Sequence, residues 1–300
     1  MRFPWPGVVV LALCLSATQA GARASVEGEG RIVIEVGGAP ITVYTYTPPG
    51  CAPRGLLFVL HGLRRNARAY RDKARGFARR ACLVVQAPRF DKRRFPNWRY
   101  QRGGVVRKGH ALTRSRWTSR VLAALIERAR ERVGGALYLF GHSAGAQFLS
   151  RVAAYDPPPG VTRFIIANPS THVFPDLKVD APYGFGGLFS ELEARRRLRA
   201  YLALPLTIYL GGEDTGSRNL STSAAAMRQG RNRRERGRRL FRAARALARE
   251  KGWRFGWRLV EAPGVGHSAR RMLDAASAES AFGLASAASA APRPAAAGGR

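Results

Sequence analysis

Ser143 sits in the run "LYLFGHSAGAQFL" (137–149), whose first half has strand length and whose second half has the spacing of a buried helix. Gly141 and Gly145 stand two residues away on either side. Glycine and serine are ordinary turn residues. A G-x-S-x-G crossing from strand to helix also holds a serine hydroxyl exposed on a sharp turn, where bulkier neighbours would block the crossing. A serine hydroxyl is a weak nucleophile by itself. It needs a base, a group that orients the base, and donors for the oxyanion that an attacked carbonyl becomes. Candidates follow Ser143 in the chain order serine, acid, histidine. "LTIYLGGEDTG" (206–216) ends a strand-like run with two carboxylates, Glu213 and Asp214. Asp214 is preferred, because G-x-x-D after a strand is the commoner arrangement and two glycines let the loop turn back sharply. His267 lies in "PGVGHSARR", just after the last strand-like run, whereas His172 follows the sixth in "NPSTHVFPD". The expected oxyanion donors are the backbone N–H groups of Ala144, next to the serine, and of Leu63 in "VLHGLRRN", after the third run. His61 and His142 read as scaffolding of their turns. The five histidines are scattered and none has zinc-ligand spacing to cysteines or acids, so neither metal nor cofactor is expected.

These residues need a scaffold, and eight short strand-like runs provide one. "RIVIEV" (31–36) and "ITVYTYT" (41–47) flank the hairpin signal "GGAP". The runs at 56–62, 82–88, 136–141, 162–168 and 206–212 are largely apolar, as strands buried on both faces must be. "WRLVEAPG" (257–264) completes the set. Helical stripes lie between several of them. Trp117, Val121, Leu122, Leu125, Ile126, Ala129 and Val133 trace one over 116–133. Over 234–250, Leu240, Phe241, Ala244 and Leu247 face inward and the arginines outward. A hairpin followed by alternating strands and helices predicts an α/β fold, a mostly parallel eight-stranded sheet with helices on both faces.

Charge is the outlier in composition: 51 basic residues stand against 19 acidic, a formal net charge of +32. Arginine-favouring codon usage accounts for such a bias, and so does attraction to polyanions. No recognised nucleic-acid motif accompanies the arginines, so no specific nucleic-acid partner is expected. At the N-terminus, Arg2, the apolar run "GVVVLALCLSA" and the small residues of "TQAGARAS" read as a secretory signal over 1–24. That run is too short to span a bilayer, so an exported, periplasmic or secreted protein without a transmembrane anchor is expected. The folded domain is expected over 25–275 and a disordered Ala/Ser/Pro-rich tail over 276–300.

In order, "LHG", "GHSAG", "GGEDTG" and "GVGHS" resemble the α/β-hydrolase superfamily, and among its members the exported bacterial esterases of the polyhydroxybutyrate-depolymerase-like group. The resemblance runs over roughly residues 30–275. It implies an α/β-hydrolase fold, a triad of Ser143, Asp214 and His267, and an oxyanion hole at Leu63 and Ala144. Leu63 departs from the polar or cysteine residue that follows His-Gly in many depolymerases. Open α/β sheets bind ligands at the carboxyl ends of their strands, where the segments 88–104 and 174–187 fall. Trp98, Tyr100, Tyr183 and Phe185 are candidate walls of a substrate pocket, and Arg89, Arg93 and Arg94 candidate partners for an anionic group. In the superfamily's strand order the third and fourth runs are parallel neighbours, which brings Cys51 and Cys82 together at the amino-terminal edge, away from the chemistry. A structural disulfide is therefore expected. The expected activity is hydrolysis of a small or polymeric carboxylic ester through an acyl-enzyme. The alternatives are a serine peptidase or amidase, and a non-catalytic polyanion-binding protein on the same scaffold. Oligomeric state is left open.

Overall fold

The computed structural model describes residues 27–284, so the expected signal segment and residues 285–300 of the expected tail lie outside the described residues. Strands β1 (Gly28–Val36) and β2 (Ala39–Thr47) form the antiparallel hairpin. It turns at Gly37 and Gly38, whose φ values of 58° and 71° suit the two-residue turn that matches strand twist. Next come β3 (Gly55–Leu60), helix α1 (Ala67–Ala81) and β4 (Leu83–Pro88). A two-residue ribbon, β5 (Val106–Arg107) and β6 (His110–Ala111), has no counterpart among the expected strands. Helix α2 (Thr118–Arg130), β7 (Ala136–His142), α3 (Ala144–Tyr155) and β8 (Arg163–Ala167) follow. The chain continues through α4 (Glu191–Ala203), β9 (Leu206–Gly211), the short α5 (Ala224–Met227) and α6 (Arg233–Glu250). It ends with β10 (Trp257–Ala262), α7 (Ala269–Asp274) and α8 (Ser277–Phe282).

All eight expected runs are strands of one sheet, ordered β1-β2-β4-β3-β7-β8-β9-β10. Strand β2 is antiparallel to β1 and β4, and every later neighbour pair is parallel. This is the α/β-hydrolase arrangement. Alternation within each strand builds two apolar layers. In β3, Leu56, Phe58 and Leu60 pack with α2, α3, α4 and α6, while Leu57 and Val59 face α1, α7 and α8. A strand buried on both faces is largely apolar, because each large side chain gains about 1.5–3 kcal/mol by leaving water.

Two expectations are corrected. The domain does not stop at 275: α8 lies beyond it, with Ala278, Ala281 and Phe282 buried against the sheet. Phe282 packs on Phe77, Tyr138 and Phe140, an aromatic anchor that an Ala/Ser-rich composition hides. Nor do all arginines of the 234–250 stripe face outward. Arg236 is fully buried, donating to the carbonyls of Gly230, Ser170 and Ser221 in place of water. The expected Cys51–Cys82 disulfide is present, with Cα atoms 6.2 Å apart. It sits just before β3 and β4, where Arg54 N–H donates to Cys82 O.

Candidate active site

Parallel register sets the site. Leu60 pairs with Gly141, His142 with Ala167 and Gly211 with Ala262, so β3, β7, β8, β9 and β10 end along one edge of the sheet. At the end of β7 the chain must turn at once into α3. A Cβ on Gly141 would lie 2.5 Å from Gly145 O, and one on Gly145 would lie 2.2 Å from Leu60 O. Only glycine allows this crossing. Between the two glycines Ser143 adopts φ 58° and ψ −116°, a conformation costly for a residue with a side chain. Two backbone bonds hold it there: Ser143 N–H donates to Ala167 O, and Ser143 O accepts from Gln147 N–H.

The acid and histidine loops are zipped to each other. Gly212 N–H donates to Ala262 O and Glu213 N–H to Val265 O, extending the β9–β10 ladder beyond both strands. A Cβ on Gly211 would lie 2.4 Å from Val265 O, so glycine is what lets the loops approach. Asp214 then turns inward and is buried, while Glu213 remains exposed. His267 Nδ1 lies 2.6 Å from Asp214 Oδ2, and Ser143 Oγ lies 3.0 Å from His267 Nε2. An ionised carboxylate only accepts, so Nδ1 carries the proton and the free Nε2 accepts from the serine hydroxyl. The His142 ring packs 4.7 Å from that of His267, and His142 Nδ1 shares a 3.0 Å hydrogen bond with Tyr70 OH. Burial, with the charges nearby, keeps His142 neutral, well below the usual histidine range.

On the other side of Ser143 lies the loop after β3. A Cβ on Gly62 would lie 3.7 Å from Ser143 Cβ, which fixes how closely this loop approaches. Arg65 N–H donates to Gly62 O, closing a turn that holds Leu63. Ala144 is the first residue of α3, where the N–H has no partner within the helix. His61 is structural: its Nε2 accepts from Phe90 N–H, leaving Nδ1–H for Gly62 O. Burial pushes it down to about 3. His172 is also buried, with neither ring nitrogen hydrogen-bonded to the Ser143–His267–Asp214 relay, and is pushed down to about 3 by desolvation and by Arg151 and Arg236.

Of the four expected pocket aromatics, two are core residues. Tyr100 is fully buried, donating to His61 O, stacked on Phe90 and packed at a tilt against Phe148. Phe185 is fully buried against Tyr155 and Tyr201. Both are occupied in holding loops. Trp98 and Tyr183 are half-exposed, with Arg107 and Arg151 over their rings. Arg94 is bound to Asp91 and to Pro40 O and is not free for an anion; Arg89 and Arg93 are exposed. Arg233 was not anticipated. It is buried and donates through Nη1 to Asp214 Oδ1 at 3.3 Å. Nothing marks it in an arginine-rich segment except its place directly after the capping Asn232. A groove between α1 and α7, which shares no lining residue with the relay, is lined by Lys73, Arg75, Arg79 and Arg270, with Asp72 and Asp274. Partial burial and repulsion from Arg270 and Arg64 lower the Lys73 ammonium. Among the described residues, no group of three or more His, Cys, Asp or Glu is placed to hold a metal, and no helix is long and apolar enough to cross a membrane.

No family model and no curated protein matches the chain. Solved structures do. Poly(aspartic acid) hydrolase-1 from Sphingomonas sp. KT-1 is 31% identical, with a TM-score of 0.76 over 83% of this chain and 96% of its own. A poly(3-hydroxybutyrate) depolymerase from Bordetella parapertussis is also 31% identical, with a TM-score of 0.79 over 88% of this chain and 94% of its own. An S-formylglutathione hydrolase from Agrobacterium tumefaciens, 19% identical with a TM-score of 0.51 over 83% of this chain and 92% of its own, shares the fold.

Proposed function

The chain belongs to the α/β-hydrolase superfamily, with polyhydroxybutyrate-depolymerase-like relatives, and from that premise we propose that it is an exported serine hydrolase of carboxylic esters acting through Ser143, His267 and Asp214. The observation that carries this reading is the hydrogen-bonded relay of 2.6 Å and 3.0 Å, with the serine on a strained turn at the strand ends. Ser143 Oγ attacks the ester carbonyl as His267 Nε2 takes its proton, and Asp214 steadies the imidazolium. The N–H groups of Ala144 and Leu63 receive the oxyanion. Return of the proton to the departing alkoxide leaves an acyl-enzyme. Water then attacks, giving its proton to His267, and collapse frees the acid and restores Ser143. The signal-like residues 1–24 and the disulfide support export.

A second reading has a specific observation behind it. The same triad cleaves amides, one 31% identical relative is a poly(aspartic acid) hydrolase, and this chain carries +32. An acidic polyamide is therefore the alternative substrate.

The test is covalent labelling by a fluorophosphonate probe, mapped by mass spectrometry, followed by turnover of p-nitrophenyl esters and poly(aspartic acid). Label on Ser143 with ester turnover is expected. An unlabelled Ser143 in folded protein sinks the catalytic reading and favours a polyanion-binding scaffold. Turnover of poly(aspartic acid) without esters selects the amidase.

A further inference from the structure

We propose that Arg233 is a positioning residue for the triad acid, gripping Asp214 from the side away from His267 and limiting its pull on the imidazole. The inference rests on the serine-hydrolase reading above. The two carboxylate oxygens of Asp214 have different partners: Oδ2 meets His267 Nδ1 at 2.6 Å, and Oδ1 accepts from Arg233 Nη1 at 3.3 Å. Both Arg233 and Asp214 side chains are 2% exposed, so water does not stand in for either partner. The same guanidinium donates to Arg218 O at 2.7 Å and to Gly216 O at 3.4 Å. One rigid planar fork thus fixes the acid and the loop that carries it.

Its location runs against the usual electrostatics. Arg233 is the first residue of α6, capped by Asn232, whose Oδ1 accepts from Glu235 N–H. A helix N-terminus carries partial positive charge and favours anions. Arg236, one turn on, is also buried and adds repulsion. Arg233 Nε has no partner, so the side chain forgoes a hydrogen bond to hold this orientation. The acid is what compensates. Among the described residues, Arg233 is its one arginine or lysine partner.

Two effects follow. Without Arg233, Asp214 is free to rotate away from Nδ1, and turnover falls more than binding. The carboxylate's charge also acts undivided on the imidazole, which favours the imidazolium, the form unable to accept the Ser143 proton. The His142 ring from β7 packs 4.7 Å from that of His267 and is held neutral first by burial, then by repulsion from His267, Lys73 and Arg233. Arg233 is the smallest of these causes, so burial still keeps His142 uncharged when Arg233 is replaced.

Full-length R233M and R233K are compared with wild type on p-nitrophenyl acetate from pH 5.5 to 9, with rates normalised to sites titrated by a fluorophosphonate. R233M is expected to lose about 10- to 100-fold in kcat with KM within about threefold, the scale of a misplaced catalytic group. Its acidic limb of kcat/KM moves to higher pH. R233K keeps the charge, so it restores the limb and part of the rate. An R233M enzyme with wild-type kcat per titrated site and an unmoved limb overturns the proposal. A purely structural role lowers the number of titratable sites without moving the limb, and that outcome overturns it too. If R233M does not fold, R233Q is scored by the same readouts. S143A runs alongside: turnover surviving in that variant means that the triad reading itself has failed, independently of Arg233.

Discussion

Asp214 and Glu213 are chain neighbours in opposite surroundings, one buried against His267 and the other in solvent. Replacing Asp214 by asparagine presents an amide to Nδ1 and favours the wrong imidazole tautomer, so a loss of about 10⁴ in kcat is expected. E213Q should retain most of its activity. Kinetics on p-nitrophenyl butyrate decide this, and a crippled E213Q beside an active D214N would move the acid to Glu213. S143A and H267A should each cost several orders of magnitude, with little further loss in the double variant, because the groups act as one unit. These three residues are legible in the sequence because each directly follows a strand-like run, and parallel strands bring such positions to one edge. Tyr100 and Phe185 are not legible. Aromatic residues in irregular segments have no periodicity to separate a pocket wall from a core anchor, and both are buried. Arg233 and Arg236 are hidden for the opposite reason: charge on a helix reads as solvent-facing, and only three-dimensional structure reveals the carboxylate and carbonyls that accept from them.

At the level of elements, the amino-terminal edge of the sheet is held by the Cys51–Cys82 bridge, 31 residues apart in sequence. The chain-entropy estimate for a loop of that size is about 3–4 kcal/mol. Reduction should therefore lower the melting temperature by roughly 10 °C, while leaving acylation of Ser143 intact below the transition, since the bridge lies at the edge opposite the triad. Two thiols alkylated in non-reduced, denatured protein would contradict the bridge. The carboxyl-terminal closure of the sheet depends on α8. Phe282 is 1% exposed among Phe77, Tyr138 and Phe140, so F282A should cost about 3–5 kcal/mol. Urea unfolding measures it, and a change under 1 kcal/mol would mean that α8 is only loosely docked. The strands are legible because two-sided burial makes them continuous apolar runs. Helix α8 is not, because it buries small residues around one aromatic and its composition is that of a flexible tail. The two-residue ribbon β5–β6 is too short for any periodicity.

On the scale of the whole molecule, the net charge of +32 is the property least explained by the fold. Many of its arginines serve the structure: Arg151 donates to Thr171 O and Pro182 O, Arg236 to Ser170 O, and Arg71 pairs with Glu29 and Asp72. Such residues are fixed by local bonds and say little about substrate. The groove between α1 and α7 differs. There burial and then Arg270 depress Lys73, and four cations stand against Asp72 and Asp274, on helices that carry Tyr70 and follow His267. Net positive charge on the molecule raises the local concentration of anions and quickens their encounter, an effect that salt screens as the Debye length falls from about 10 Å at 0.1 M to about 3 Å at 1 M. If this field selects substrate, kcat/KM for the monoanionic mono-p-nitrophenyl succinate should fall severalfold over that range, while neutral p-nitrophenyl butyrate is nearly unaffected. The double variant K73Q/R270Q should shrink the gap between the two esters by weakening the response of the anion alone. Equal salt responses for both esters, unchanged in the variant, would assign the arginines to composition and scaffolding and remove charge from the account of substrate choice.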